Sequence, residues 1–137
     1  MRQVLLDTNV LSEVIKKVPS ESVMAHLRAL PAEAMFTSAV CVMEMYFGAA
    51  RHPHGELLWK RIERDVLSRV AVLPIGDNEA KRAGAILANL EVRGERIGVE
   101  DVLIAATALE RGLVVSTRNL RHLGRVKGLV VENWWSR

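Results

Sequence analysis

The pattern of apolar and polar positions opens with an unbroken run, Val4-Leu5-Leu6. With no polar residue alternating through it, the run predicts a short strand covered on both faces, as in a parallel sheet. Asp7, Thr8 and Asn9 follow, residues suited to a strand-to-helix turn. Val10, Leu11, Val14 and Ile15 then recur at helical spacing, Lys16-Lys17 close that helix, and Pro19-Ser20 interrupt the pattern. Ser20 to Leu30 predicts a second helix with Val23, Leu27 and Leu30 inward and His26 on its surface, ended by Pro31. Ala34 to Ser38 predicts a second strand, with Ser38 capping the next helix. That helix, Ala39 to about Ala50, is strongly apolar and carries one charge, Glu44.

The second half repeats the alternation of strands and helices. Arg51 to Gly55 predicts a surface loop, and its His52 and His54 have no cysteine nearby to suggest a metal site. An amphipathic helix follows from Glu56 to about Ser68, with Trp59, Ile62 and Val66 inward. Val70 to Leu73 is the third strand. Asp77 is expected to cap a long helix reaching Arg93, with Ala80, Ala83, Ile86, Leu87 and Leu90 inward, stopped by Gly94. Glu100 and Asp101 begin another helix, whose Val102 to Leu109 stretch is apolar all round apart from Thr107, so it is central and buried. Gly112 ends it. Leu113 to Ser116 and Leu129 to Val131 are the fourth and fifth strands. Trp134-Trp135 are expected to cover an edge of the core.

At 137 residues the chain is read as one domain, 1–137, long enough to bury a sizeable core. No apolar run approaches the roughly 20 residues that span a bilayer, which predicts a cytoplasmic protein. One cysteine, Cys41, excludes an internal disulfide, and its apolar neighbours make it a core residue. Fourteen of the 19 basic residues are Arg, whose planar fork suits phosphate. A net charge of +3 permits nucleic-acid binding without demonstrating it.

The chemistry lies in three acids. Asp7 sits at the carboxyl end of the first strand, the edge at which open α/β sheets bind ligands, although Asp is also a good helix cap. Glu44 has no basic residue within a turn of its apolar helix, and a lone carboxylate there is costly unless a cation compensates it or the residue lies on a narrow exposed edge. Asp101 has Ile104 and Ala105 one turn on and so points along a buried side, although capping its helix is the alternative reading. Two carboxylates about 5 Å apart repel by roughly 3 kcal/mol at an effective dielectric near 20, so three together call for a counter-charge. Oxygen ligands without Cys or His favour Mg²⁺ or Mn²⁺. Such an ion can activate water and stabilise charge on a phosphoryl oxygen, which points to phosphodiester hydrolysis. If the fourth strand lies parallel beside the first, Thr117 and Asn119 land next to Asp7, and Arg118, Arg121 and Arg125 line the same edge.

Four stretches carry a resemblance: Leu6 to Ser12, Thr37-Ser38 through Glu44 to Gly48, Asp101 to Ala108, and Ser116-Thr117-Arg118-Asn119. In this order and spacing the chain resembles PIN-domain ribonucleases of the VapC toxin type. The resemblance implies a three-layer α/β sandwich with about five short parallel strands flanked by helices. It implies Asp7, Glu44 and Asp101 as ligands of Mg²⁺ or Mn²⁺, with Thr8, Thr117 and Asn119 in supporting positions. It further implies a homodimer, an antitoxin whose tail enters the acidic cleft, and a structured RNA substrate, with Arg118 and Arg121 as RNA contacts. Many such proteins carry a fourth acid after the fourth strand; here that region holds Asn119 and His122. The loss keeps open a PIN-like module that binds RNA or a partner without cutting. A phosphatase using Asp7 as nucleophile fits less well, because such enzymes commonly need a second Asp two residues on, where this chain has Asn9.

Overall fold

The computed structural model describes residues 2–135. Five strands form one parallel sheet in the order β3-β2-β1-β4-β5: β1 Val4–Leu6, β2 Met35–Ser38, β3 Ala71–Leu73, β4 Val114–Ser116 and β5 Val131–Glu132. Seven helices among the described residues flank it: α1 Thr8–Val14, α2 Glu21–Arg28, α3 Ala39–Ala50, α4 Gly55–Asp65, α5 Asp77–Arg93, α6 Val99–Arg111 and α7 Leu120–Leu123. None is long and apolar enough to cross a membrane.

The order follows from the apolar pattern. Val4, Leu5 and Leu6 are all buried, as a central strand covered on both faces requires. Burying each such side chain contributes about 1.5–3 kcal/mol. At the sheet edge Ala71 and Val72 are exposed and only Leu73 is buried. From β1 the chain builds outward through β2 to β3, then returns across the sheet to pair β4 with the other side of β1. The reversal makes the β1/β4 boundary a topological switch point, where a crevice opens beyond the carboxyl ends of the strands. Register places Leu6 opposite Ser116, so Asp7 and Thr117 leave the sheet side by side.

Local chemistry fixes the ends. Gly94 and Gly112 close α5 and α6 in the left-handed conformation, φ 65° and 66°, which favours glycine. Ser38 Oγ accepts from the Val40 N–H at 3.0 Å and starts α3. The expected cap of α5 is corrected. Asp77 is the first helical residue and pairs with Lys81, while the side chain of Glu79 turns back to accept from the Gly76 N–H at 2.8 Å. Of the residues expected inward on α5, Ala83 and Leu90 pack against Val102 and Ala106 of α6, whereas Ala80 and Leu87 are exposed. His26 is not a plain surface residue either. Its ring stacks on Trp134, centroids 5.1 Å apart.

Candidate functional site

Beyond the β1/β4 boundary lies a cleft of about 420 Å³ whose lining includes Asp7, Glu44 and Asp101. Three separate elements supply them. Asp7 is the N-cap of α1, accepting from the Thr8 N–H at 2.8 Å, and its own N–H donates to Ser116 O at 3.0 Å. The two sequence readings of Asp7, cap and site residue, are therefore compatible: one carboxylate oxygen faces the helix N-terminus and the other faces β4. Glu44 comes from the middle of α3, and its Oε1 accepts from Thr8 Oγ1 at 2.7 Å. Asp101 comes from the first turn of α6.

The supporting groups sort by which acid they hold. Thr117 Oγ1 donates to Asp7 Oδ2 at 2.7 Å and accepts from the Asn119 N–H at 2.9 Å. Asn9 Nδ2 reaches the same Asp7 oxygen at 3.5 Å. Asn119 was expected beside Asp7, but its Nδ2 donates to Asp101 Oδ2 at 3.2 Å. His122 Nδ1 lies 3.3 Å from that Asp101 oxygen, so His122 is a site neighbour and not merely a surface group. Of the three arginines expected along this edge, Arg118 lines the cleft. Arg121 is exposed on α7 outside the lining, and Arg125 is turned away, donating to Arg96 O at 2.9 Å.

The acids are close enough to disturb each other. Asp7 and Glu44 each offer an oxygen within 4.8 Å of the other and of the Cys41 sulfur. Asp101 stands outside this tight group but still feels it. Burial pushes the Asp101 carboxyl above its usual range, and the charge of Asp7 adds to the shift while His122 opposes it. Burial likewise raises Glu44; the Thr8 hydroxyl opposes this, and the charges of Asp7, Asp101 and Glu100 reinforce it. Both shifts favour the protonated form, as burial and neighbouring carboxylates should produce. Burial and Asp7 raise the Cys41 thiol to about 11, so at neutral pH it is a protonated core side chain and not a thiolate ligand. The carboxylate oxygens of Asp7, Glu44 and Asp101 are hard donors, a set that suits a hard divalent cation.

Sequence reasoning missed a second wall of the cleft: Asn9, Ser12, Glu13 and Lys16, with Trp135. Positions 9, 12, 13 and 16 follow the spacing of one helical face, and that polar stripe was the available signal. Glu13 is buried at 3% exposure yet well partnered. Burial pulls its carboxyl upward, but Lys16, the Ser20 N–H and Trp135 outweigh this and hold it below the usual range. Trp134 and Trp135 also part company. Trp134 is buried as expected, whereas Trp135 is half-buried on the cleft.

Comparison with known proteins agrees with this geometry. The sequence matches the PIN domain over residues 4–129. It is 37% identical to the ribonuclease VapC2 of Haemophilus influenzae over 134 residues, spanning 98% of this chain and 99% of that one. It is 34% identical over 137 residues to the tRNA(fMet)-specific endonuclease VapC of Salmonella typhimurium, again spanning 98% and 99%. The structure of DNA-bound VapBC from Salmonella typhimurium superimposes with a TM-score of 0.88 at 34% identity, covering 98% of this chain and 99% of that one. The chain therefore belongs to the PIN domain family, among relatives that include the VapC ribonucleases.

Proposed function

We propose that the chain is a Mg²⁺- or Mn²⁺-dependent endoribonuclease, the toxin of a toxin–antitoxin pair. The observation that carries the reading is the convergence of Asp7, Glu44 and Asp101 on one cleft, with Glu44 and Asp101 both raised by burial and by the charge of Asp7. Asp7, Glu44 and Asp101 would hold the ion. When bound, it neutralises these acids, activates water and stabilises charge developing on the scissile phosphoryl oxygens.

The chain's own groups do the positioning. Thr117 and the Thr8 N–H fix the two oxygens of Asp7, and the Thr8 hydroxyl fixes Glu44, so these carboxylates need little reorganisation before reaction. Asn119 and His122 fix Asp101, in the region where related proteins often carry a fourth acid. Arg118 on the rim supplies positive charge for an RNA phosphate.

The partners follow the same reading. The VapC-like sequence and the VapBC relative support an antitoxin partner, and the acidic cleft is where its tail would enter on this reading. Exposed Met43, Tyr46 and Phe47 on α3 support a homodimer, because apolar side chains this large are costly to leave in water. A structured RNA such as transfer RNA is the substrate class on this reading, in keeping with the name of the Salmonella typhimurium relative, and the cytoplasm is where the chain would act.

Incubation with transfer RNA and Mn²⁺ tests the reading, beside Asp7→Asn and Asp101→Asn prepared identically. Cleavage by the parent alone is expected. Equal cleavage by all three would assign the activity to a contaminant and remove the catalytic assignment. RNA binding by the parent without any cleavage would leave the non-cutting PIN-like module as the better description.

A further inference from the structure

Carboxylates dominate the charged groups of the cleft lining. Among the described residues, the basic side chains that line the cleft with Asp7, Glu13, Glu44 and Asp101 are Lys16 and Arg118. Lys16 is already committed, with its Nζ 2.9 Å from Glu13 Oε1. Arg118 makes no ion pair among the described residues. Its guanidinium is held instead over the ring of Trp135, 4.9 Å from the centroid. An arginine positioned by an aromatic face keeps its full charge and its fork of N–H donors for an incoming anion.

Trp135 is in turn fixed from both sides. Its Nε1 reaches Glu13 Oε1 at 3.4 Å, and its backbone N–H donates to Asn133 Oδ1 at 2.8 Å. The Arg118 N–H donates to Asn9 Oδ1 at 3.1 Å, tying the pair to the side chain that also approaches Asp7. A half-buried indole is thus held in place on the wall of a cleft that already contains the acids. Its immediate neighbour in sequence, Trp134, serves the core. Trp135 packs against the edge of that core as well, but unlike Trp134 it also lines the cleft.

We propose that Trp135 and Arg118 form a nucleotide subsite on the rim of the acid cleft, in which an unpaired nucleobase beside the scissile bond takes the place of the Arg118 guanidinium over the Trp135 ring and Arg118 turns to grip the adjoining phosphate. This inference rests on the ribonuclease reading and refines it, since the substrate must then present single-stranded nucleotides at the cut. Stacking on an aromatic platform accepts any base, because every base has a π-face, so the subsite selects for unpaired structure more than for sequence.

The test measures binding rather than cleavage, so that it is independent of turnover. The full chain carrying Asp7→Asn is titrated into a fluorescein-labelled single-stranded oligoribonucleotide in chelator. Adding Trp135→Ala is expected to weaken binding about tenfold, and Trp135→Phe to restore most of the loss. Arg118→Ala is expected to lower the salt dependence by roughly the share of one phosphate contact, and Arg118→Lys to keep it. An oligonucleotide bearing an abasic position at the stacked site should bind the parent as weakly as the intact one binds Trp135→Ala, and should lose nothing further in that variant. Unchanged RNA affinity in Trp135→Ala overturns the proposal, as does an abasic penalty that survives in it. Loss of antitoxin binding alone, with RNA affinity intact, overturns it in favour of a protein contact. If Trp135→Ala fails to fold, the Trp135→Phe, Arg118 and abasic measurements decide. Failure of the ribonuclease reading would be seen separately, as parent chain that binds RNA and never cuts it.

Discussion

Two walls of one cleft treat their carboxylates in opposite ways. Glu13, on the α1 wall, is more buried than Glu44 or Asp101, yet its carboxyl is held below the usual range because Lys16, the Ser20 N–H and Trp135 stabilise its charged form. Glu44 and Asp101, on the other wall, are half-buried and their carboxyls are raised, because their hydrogen bonds to Thr8 and His122 do not offset burial and the nearby Asp7 charge. Burial alone does not decide the outcome; the supply of partners does. The fold completes Glu13 with its own groups and leaves the others to be completed by something from outside. A structural acid and a functional acid can share a pocket and be told apart by this criterion.

Substitutions should separate the walls. The largest effect is expected on cleavage: Asp7→Asn should lower RNA hydrolysis by at least about 100-fold in a Mn²⁺ assay, with the melting midpoint in chelator unchanged or raised. Next, Mn²⁺ at about 100 times its dissociation constant should stabilise the parent by about 2.7 kcal/mol, read as a rise in melting midpoint. Glu44→Gln should abolish most of that rise. An equal rise in the variant would show that Glu44 does not hold the ion.

Glu13→Ala reverses the pattern. It leaves the part-buried Ser20 N–H without its partner, so about 2 kcal/mol of stability should be lost in denaturant melts, while the response to Mn²⁺ persists. The smallest effects concern pH. Because Glu13 is lowered in the folded chain, its contribution is present above the ordinary glutamate range and is lost as pH falls through its folded value. Asp101 is raised, so its ionisation costs stability as pH climbs from the ordinary aspartate range through its folded value. Removing that cost with Asp101→Asn should stabilise the metal-free chain at neutral pH by about 1 kcal/mol, the partly exposed setting reducing the Coulomb gain. Melts at acid and neutral pH in chelator would check both signs; a lower midpoint for Asp101→Asn at neutral pH would count against mutual repulsion.

Much of this was legible in the residues. The unbroken Val4-Leu5-Leu6 run identified the central strand, and the acid directly after it fell at the ligand edge because a parallel sheet aligns all its carboxyl ends there. The absence of any nearby base marked Glu44, and the apolar surroundings marked Asp101. What escaped had weak local signals. A four-residue helix such as α7 has too few positions to show a period, so Asn119 was not recognised as its cap, nor were Asn119 and His122 assigned to Asp101. The α5 start was misread because an Asp stood beside a Gly-x-x-Glu capping box, and the box prevailed through Glu79. Glu13 and Trp135 meet across 122 positions of chain, a contact that no periodicity reports.

The most direct test is where Mn²⁺ binds. Anomalous scattering from a crystal of the chain grown with Mn²⁺ should show density in the cleft, in contact with oxygens of Asp7, Glu44 and Asp101 and away from Glu13. Density on Glu13, or on the exposed His52–His54 turn with the cleft empty, would contradict the account.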